Sequence, residues 1–173
     1  MKAIRIAMAV ATGAVLATAP LSAQDDYETT RIAEGVYQFR WVGHNGMFVT
    51  TDAGVVAFDP INVEAAKAFA SEIQRIAPGS PLVSIVYSHS DADHSTGANV
   101  LMDAMGQQGV PIIAHENASA PIRARGSSAQ PEPTVTFTDK LSFEVGGRWI
   151  ELYYLGPSHT DNIAVAFIPD AGV

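Results

Sequence analysis

The apolar residues of the chain change their spacing several times, and each change predicts a different element. Residues 31–39, 47–49 and 55–58 carry short or alternating apolar runs that are typical of strands. A polar segment ending in glycine separates the last two runs, which predicts a hairpin. Residues 63–77 instead repeat their apolar side chains at helical spacing, and a Pro-Gly pair ends this predicted helix.

The middle of the chain alternates predicted strands with helices. Apolar runs at 82–87 and 110–114 are rich in β-branched side chains and predict buried strands, with helical spacing at 95–105 between them. A loop rich in Ser and Pro at 126–133 precedes four more predicted strands, at 134–137, 141–145, 149–155 and 163–168. Gly146-Gly147 predicts a two-residue hairpin turn. Hairpins on both sides of strand–helix alternation predict one domain with α/β layers.

The first 23 residues resemble a secretory signal peptide. A basic start precedes an uncharged run at 6–19, and small residues lead to a cleavage site after Ala23. The alternative is an uncleaved membrane anchor, but the run is rich in Ala and Thr and Pro20 follows it. We therefore predict a signal peptide at 1–23, a domain at 24–173, a periplasmic or secreted location and no membrane attachment after cleavage.

The charge balance argues against one class of partner. The chain has 10 basic and 18 acidic residues and a formal net charge of −8, which becomes −10 if Lys2 and Arg5 leave with the signal peptide. Binding to nucleic acid would need a basic face, so we expect no nucleic-acid partner and predict a small-molecule substrate instead.

The chain has no cysteine, so its 47% hydrophobic residues must form the core without disulfides. The oligomeric state is left open.

Four side chains that can bind metal follow the predicted strand at 82–87, namely His89, Asp91, Asp93 and His94. Ligands gather at the carboxyl ends of strands in α/β sheets, so this location favours a site. An extended backbone would point the first three the same way, and a turn would redirect His94 to a neighbouring ion. The alternative is an acidic loop that caps the next helix. His159, in a second loop after a strand, favours the metal site.

These segments resemble the metallo-β-lactamase superfamily, whose signature is His-x-His-x-Asp-His followed by a loop histidine. An Asp-Pro turn at Asp59, the segment 86–89 (Val-Tyr-Ser-His) and the segment 156–160 (Gly-Pro-Ser-His-Thr) occur in the family's order, and the resemblance covers about residues 30–173. It implies an α/β fold, the four-layer αββα sandwich of the family. It also implies that the C-terminal part of the sandwich, with further ligands, is missing from this sequence.

The resemblance also implies a role for each candidate residue. His89 and His159 would bind a first metal ion, and Asp93 and His94 a second, with Asp93 also orienting the nucleophile. Asp59 would orient ligands without binding metal. The residues themselves give two other histidines weaker interpretations: His115 as a loop histidine bonded to backbone, with a metal ligand as the alternative, and His44 as either a pocket rim or part of a plain turn.

Asp91 stands where the family signature has its second histidine. A carboxylate binds zinc at about 2.0–2.2 Å, although it makes the metal a weaker Lewis acid. Two histidines and one carboxylate are also associated with non-haem iron, and the diiron flavoproteins of this fold resemble this chain in carrying a carboxylate there. We predict that Asp91 is a ligand, the alternative being that it points to water. One or two zinc ions are expected, with iron or manganese as alternatives.

The predicted signal peptide implies export, and the resemblance implies a metal-dependent hydrolase that uses a metal-bound hydroxide. Hydrolysis of a β-lactam, a lactone or a sulfate ester fits export better than the nuclease and thioesterase activities found elsewhere in the family. Two alternatives remain: an iron-dependent oxidoreductase on the same fold, and a non-catalytic metal-binding domain.

Overall fold

The structure is a computed structural model that describes residues 27–173. The predicted signal peptide at 1–23 lies outside the described residues. The strands are β1 Tyr27–Ala33, β2 Val36–Trp41, β3 His44–Thr51, β4 Gly54–Phe58, β5 Leu82–Val86, β6 Ile112–His115, β7 Val135–Phe137, β8 Lys140–Val145, β9 Arg148–Tyr153 and β10 Val165–Phe167. The helices are α1 Val63–Ile76, α2 Ala92–Ser95, α3 Ala98–Ala104 and α4 Ser119–Arg125, with a 3-10 turn at Glu116–Ala118. Within 27–173, no helix combines the length and apolar character that a membrane span needs.

Two sheets carry these strands. The first seven strands form one sheet in chain order, antiparallel from β1 to β4 and parallel from β4 to β7. The last three form a smaller antiparallel sheet in the order β10-β9-β8. Parallel neighbours need crossover connections, and the helices provide them: α1 between β4 and β5, α2 and α3 before β6, and α4 before β7.

The large sheet is covered on both faces, as strand β4 shows, because all five of its residues are buried. Val55 and Ala57 pack in the core beneath the helices, whereas Val56 and Phe58 pack in the core shared with the smaller sheet. Successive side chains of a strand point to opposite faces, so β4 is a central strand with a hydrophobic layer on each side. Helices, large sheet and small sheet therefore form three stacked layers, and the predicted α/β sandwich is confirmed. A second helical layer is not found among residues 27–173.

Helix α1 matches its prediction to within one residue at its end. The side chain of Asn62 caps it by accepting a hydrogen bond from the backbone N–H of Ala65 at 2.9 Å. Its apolar face is buried against the sheet, with Phe69 and Ile73 fully covered.

Replacing Asn62 with alanine is expected to lower the free energy of unfolding by about 1 kcal/mol, because one N–H of the first turn loses its acceptor. Urea unfolding followed by circular dichroism measures this loss. Asn62→Asp keeps an acceptor oxygen and should stay close to the wild type. If the alanine and aspartate variants unfolded at the same urea concentration, the cap would contribute nothing.

Two sequence predictions need correction, and one helix was missed. The single strand predicted at 31–39 is two strands, because a turn at Glu34-Gly35 joins β1 to β2 and Gly35 has a φ of 67°, which favours glycine. The single helix predicted at 95–105 is divided into α2 and α3 at Gly97. Helix α4 was not predicted, because Ile122 is its only buried residue and supplies no periodic apolar pattern.

Candidate metal centre

The loop that carries the candidate ligands begins directly after β5 and is fixed from three directions. The backbone N–H of Ser88 donates to Asp59 Oδ1 at 2.7 Å, and the N–H of Ala164 donates to the carbonyl of Ser88 at 2.7 Å. The N–H of Ser90 donates to Asn162 Oδ1 at 2.8 Å. Asp59, directly after β4, and two residues of the segment before β10 therefore hold the loop in place.

The structure brings His89, Asp91 and His159 together. Asp91 Oδ2 lies 3.5 Å from His89 Nε2 and 3.1 Å from His159 Nε2, and the three ligand atoms lie within 4.8 Å of one another. Two ligands that are each about 2.0–2.2 Å from one zinc ion are separated by less than about 4.4 Å, and both distances from Asp91 Oδ2 fall within this limit. We call these three residues the first group. Their binding of metal stays a prediction.

Asp93 and His94 form a second group with His44. His44 Nε2 lies 3.0 Å from Asp93 Oδ2, and the ring centroids of His44 and His94 are 5.5 Å apart. The ligand atoms of all three residues lie within 4.8 Å of one another. The extended backbone expected at Asp93 is wrong, because α2 begins at Ala92 and turns Asp93 toward His44.

Asp59 contacts a histidine of each group, His94 directly and His89 through the hydroxyl of Ser88. Asp59 Oδ2 lies 3.1 Å from His94 Nδ1 and also accepts a hydrogen bond from the hydroxyl of Ser88, which lies 2.8 Å from His89 Nδ1. The Nδ1 atoms of both rings are thus occupied, and their Nε2 atoms are left for metal. Asp59 is only 6% exposed and lies near the ligand atoms of both histidines, but its oxygens are already bonded. This arrangement suits a carboxylate that orients ligands.

The protonation states follow from these contacts. The hydrogen bond with Asp59 raises the pKa of His94 despite the opposing effect of burial. Burial lowers the pKa of His89. Burial also acts to raise the pKa of Asp93, but hydrogen bonds from its own backbone and from His44 outweigh it, and the pKa is lowered. His89 and Asp93 therefore favour the deprotonated forms that metal ligands need.

Arg125, a residue that the sequence analysis missed, lies behind Asp91. Its Nη2 is 3.9 Å from Asp91 Oδ1, while Asp91 Oδ2 faces the two histidines of the first group. Arg125 also donates to the carbonyl oxygen of Ser90. The carboxylate that replaces the family's histidine thus has a cation on its outer side.

His115 does not join either group. Its ring stacks on Tyr154 at 4.0 Å between centroids, and its Nδ1 accepts a hydrogen bond from the N–H of Asn117 at 3.3 Å. It is buried and caps the 3-10 turn, so the interpretation as a histidine bonded to backbone agrees with the structure.

Comparison with known proteins gives the family. The sequence model of the metallo-beta-lactamase superfamily matches residues 39–173. The 2,4-dinitroanisole O-demethylase subunit alpha of Nocardioides sp. (strain JS1661) is 31% identical over 150 residues, which are 82% of this chain and 44% of the relative. A linear primary-alkylsulfatase of Pseudomonas sp. is 32% identical over 74 residues, 42% of this chain and 11% of the relative. The matches therefore span less than half the length of these relatives.

Solved structures show the same fold. A metallo-beta-lactamase from Pontibacter korlensis superposes with a TM-score of 0.69 and 24% identity, over 83% of this chain and 67% of the other. A variant of the flavo di-iron protein from Thermotoga maritima superposes with a TM-score of 0.68 and 18% identity, over 83% of this chain and 40% of the other. Because the superfamily match runs from β2 to the last described residue, the chain belongs to the metallo-beta-lactamase superfamily.

Proposed function

We propose that this protein is an exported, metal-dependent hydrolase of a small molecule. The observation that carries the proposal is the first group, in which His89, Asp91 and His159 converge from two loops at the ends of strands. A divalent ion bound there would lower the pKa of a water molecule and polarise the electrophile under attack. The excess of acidic residues supports a small-molecule substrate over a nucleic acid.

Each residue of the site has a separate task in this proposal. The first group would hold one ion, and Asp93 and His94 a second. Asp59 keeps the His94 ring in place through its Nδ1 and reaches the His89 ring through the hydroxyl of Ser88. Asp93 has a side chain that is 59% exposed, so it can contact an incoming substrate and orient the attacking water.

Three kinds of relative guide the choice of substrate. The alkylsulfatase and the metallo-beta-lactamase support sulfate esters and β-lactams, and the demethylase adds an aryl methyl ether. Lactones fit the same chemistry, because in each case water attacks a polarised centre. The shared fold does not choose among these substrates, so the experiment must cover all of them.

The test is hydrolysis of a panel by purified protein loaded with zinc, manganese or iron. The panel contains a chromogenic β-lactam, a lactone, a long-chain alkyl sulfate and 2,4-dinitroanisole. We expect turnover of at least one compound, loss of turnover with a chelator, and recovery when the ion is returned. His89→Ala and His159→Ala should lose at least about 100-fold in kcat/KM, whereas the exposed control Asp139→Ala should not. A metal-loaded protein that turns over none of the compounds would contradict the proposal.

Asp91 supports one alternative, an iron-dependent oxidoreductase. With His89 and His159 it supplies two histidines and one carboxylate, a donor set that non-haem iron also uses. Metal analysis of protein purified without added metal separates the two functions. Stoichiometric iron with a reversible redox change would favour the oxidoreductase, and stoichiometric zinc would favour the hydrolase.

A further inference from the structure

His44 occupies the first position of β3, at the end of the β2–β3 hairpin, where it pairs with Trp41. Its Nε2 points to Asp93 Oδ2 at 3.0 Å, and its ring meets the His94 ring edge-on. We infer that His44 is a third protein ligand, with Asp93 and His94, of a second metal ion. This inference rests on the proposed metal-dependent function.

The distances fit a shared ion. Two ligands about 2.1 Å from a tetrahedral zinc ion lie about 3.4 Å apart, close to the separation of His44 Nε2 and Asp93 Oδ2. His94 uses Nδ1 for its contact with Asp59, so its Nε2 is free to complete the set. Two imidazoles and one carboxylate form a set that zinc and iron both accept.

The backbone segments that position His44 and His94 both pack against the turn at Asp59. Gly46, two residues after His44, allows β3 to approach the Asp59 turn so closely that a Cβ there would lie 2.6 Å from the carbonyl oxygen of Asp59. The same Asp59 holds the His94 ring, and the N–H of Ile61 donates to the carbonyl of His94 at 3.0 Å. Contacts within the protein therefore position the hairpin end and α2 together, which reduces the cost of ordering the ligands.

A hydrogen bond alone is the competing explanation of the His44–Asp93 contact. An exposed pair of this kind contributes only about 0–1 kcal/mol, and it needs one histidine. Here two imidazoles from different elements flank the same carboxylate, and the three donor atoms converge within 4.8 Å. The contact with Asp59 fixes the His94 ring through Nδ1, and a shared metal ion would in addition use the convergence of the remaining donor atoms of all three residues.

The experiment counts ions and measures affinity. Wild-type protein, stripped of metal, is titrated with Zn²⁺ and separately with Co²⁺, and the visible absorption of each cobalt equivalent is recorded. We expect two ions per chain in the wild type. His44→Ala and His44→Gln should bind the second ion at least about 100-fold more weakly and change the spectrum of that equivalent only, because loss of even an indirect partner of a ligand costs about 10–100-fold.

His44→Gln is the decisive variant, since its amide can still donate to Asp93 but binds metal poorly. Asn45→Ala, at the exposed neighbouring position, is the matched control and should keep two ions. His159→Ala should weaken the other ion and leave the His44 site intact. Thermal melts of the metal-free variants exclude loss of folding as the cause.

The outcomes separate this inference from the proposed function. A wild type that binds no ion would overturn both. Two ions of unchanged affinity in His44→Gln, or a single ion that depends on His159 and not on His44, would overturn the role of His44 and leave the metal-dependent function standing.

Discussion

Replacing Asp91 with alanine is expected to remove most of the metal from the first group. Asp91 Oδ2 is the atom that both histidines face, at 3.5 Å from His89 and 3.1 Å from His159, so its loss leaves two ligands on one ion. The affinity of this site should fall at least about 100-fold, since a ligand contributes more than its indirect partners do. Zinc and iron per chain, measured after dialysis against metal-free buffer, give the result.

Asp91→His provides the reciprocal test. A neutral imidazole restores the commoner zinc set, so this variant should keep its ion and prefer zinc over iron more strongly than the wild type does. Arg125 then has no anionic partner, and its charge opposes the ion, so Arg125→Gln should improve zinc binding in the histidine variant. Asp139→Ala is the exposed control. An Asp91→Ala protein with unchanged metal content would show that the carboxylate only points to water.

The first group was predictable because each of its loops carries a local signal. His89 and Asp91 follow a run of β-branched residues, and His159 lies in a Gly-Pro-Ser segment after another strand. The two strands belong to different sheets, so the residue types at strand ends indicated a metal site, and only the resemblance to the family indicated that His89 and His159 share one ion. The buried strand at β5 and the turn at Gly146-Gly147, with φ values of 53° and 81°, were predictable for the same local reason.

The second group was not predictable in the same way. Alternation along the chain suggested an extended Asp93, whereas the backbone begins a helix at Ala92 and turns that carboxylate toward the β2–β3 hairpin. No periodic pattern indicates that a hairpin end will lie over a helix 49 residues later, which is the separation of His44 and Asp93. Arg125 was missed because α4 is mostly polar and its contact with Asp91 exists only in the folded chain.

Gly97, between α2 and α3, packs closely against the segment that also positions His94, so a substitution there affects both the stability and the metal site. A Cβ at this position would lie 2.3 Å from the carbonyl oxygen of Pro60 and 2.6 Å from that of Asn62. Both are backbone atoms, so no side chain can move aside. The φ of −87° and ψ of −4° suit alanine, and the cost of a substitution is therefore steric and not conformational.

Gly97→Ala is expected to lower the free energy of unfolding by about 3 kcal/mol, the cost of overpacking a close contact. Reduced freedom of the unfolded chain would return only about 0.4–1 kcal/mol, so the steric cost prevails. The displaced segment carries Ile61, whose N–H donates to the carbonyl of His94 at 3.0 Å, so the second ion should also bind more weakly. Urea unfolding and a Zn²⁺ titration measure the two effects. Gly43→Ala is the control, because no atom lies within 4 Å of its added Cβ, and it should change neither the stability nor the binding of the second ion. A Gly97→Ala protein as stable as this control would contradict the close packing of Gly97 against Pro60 and Asn62.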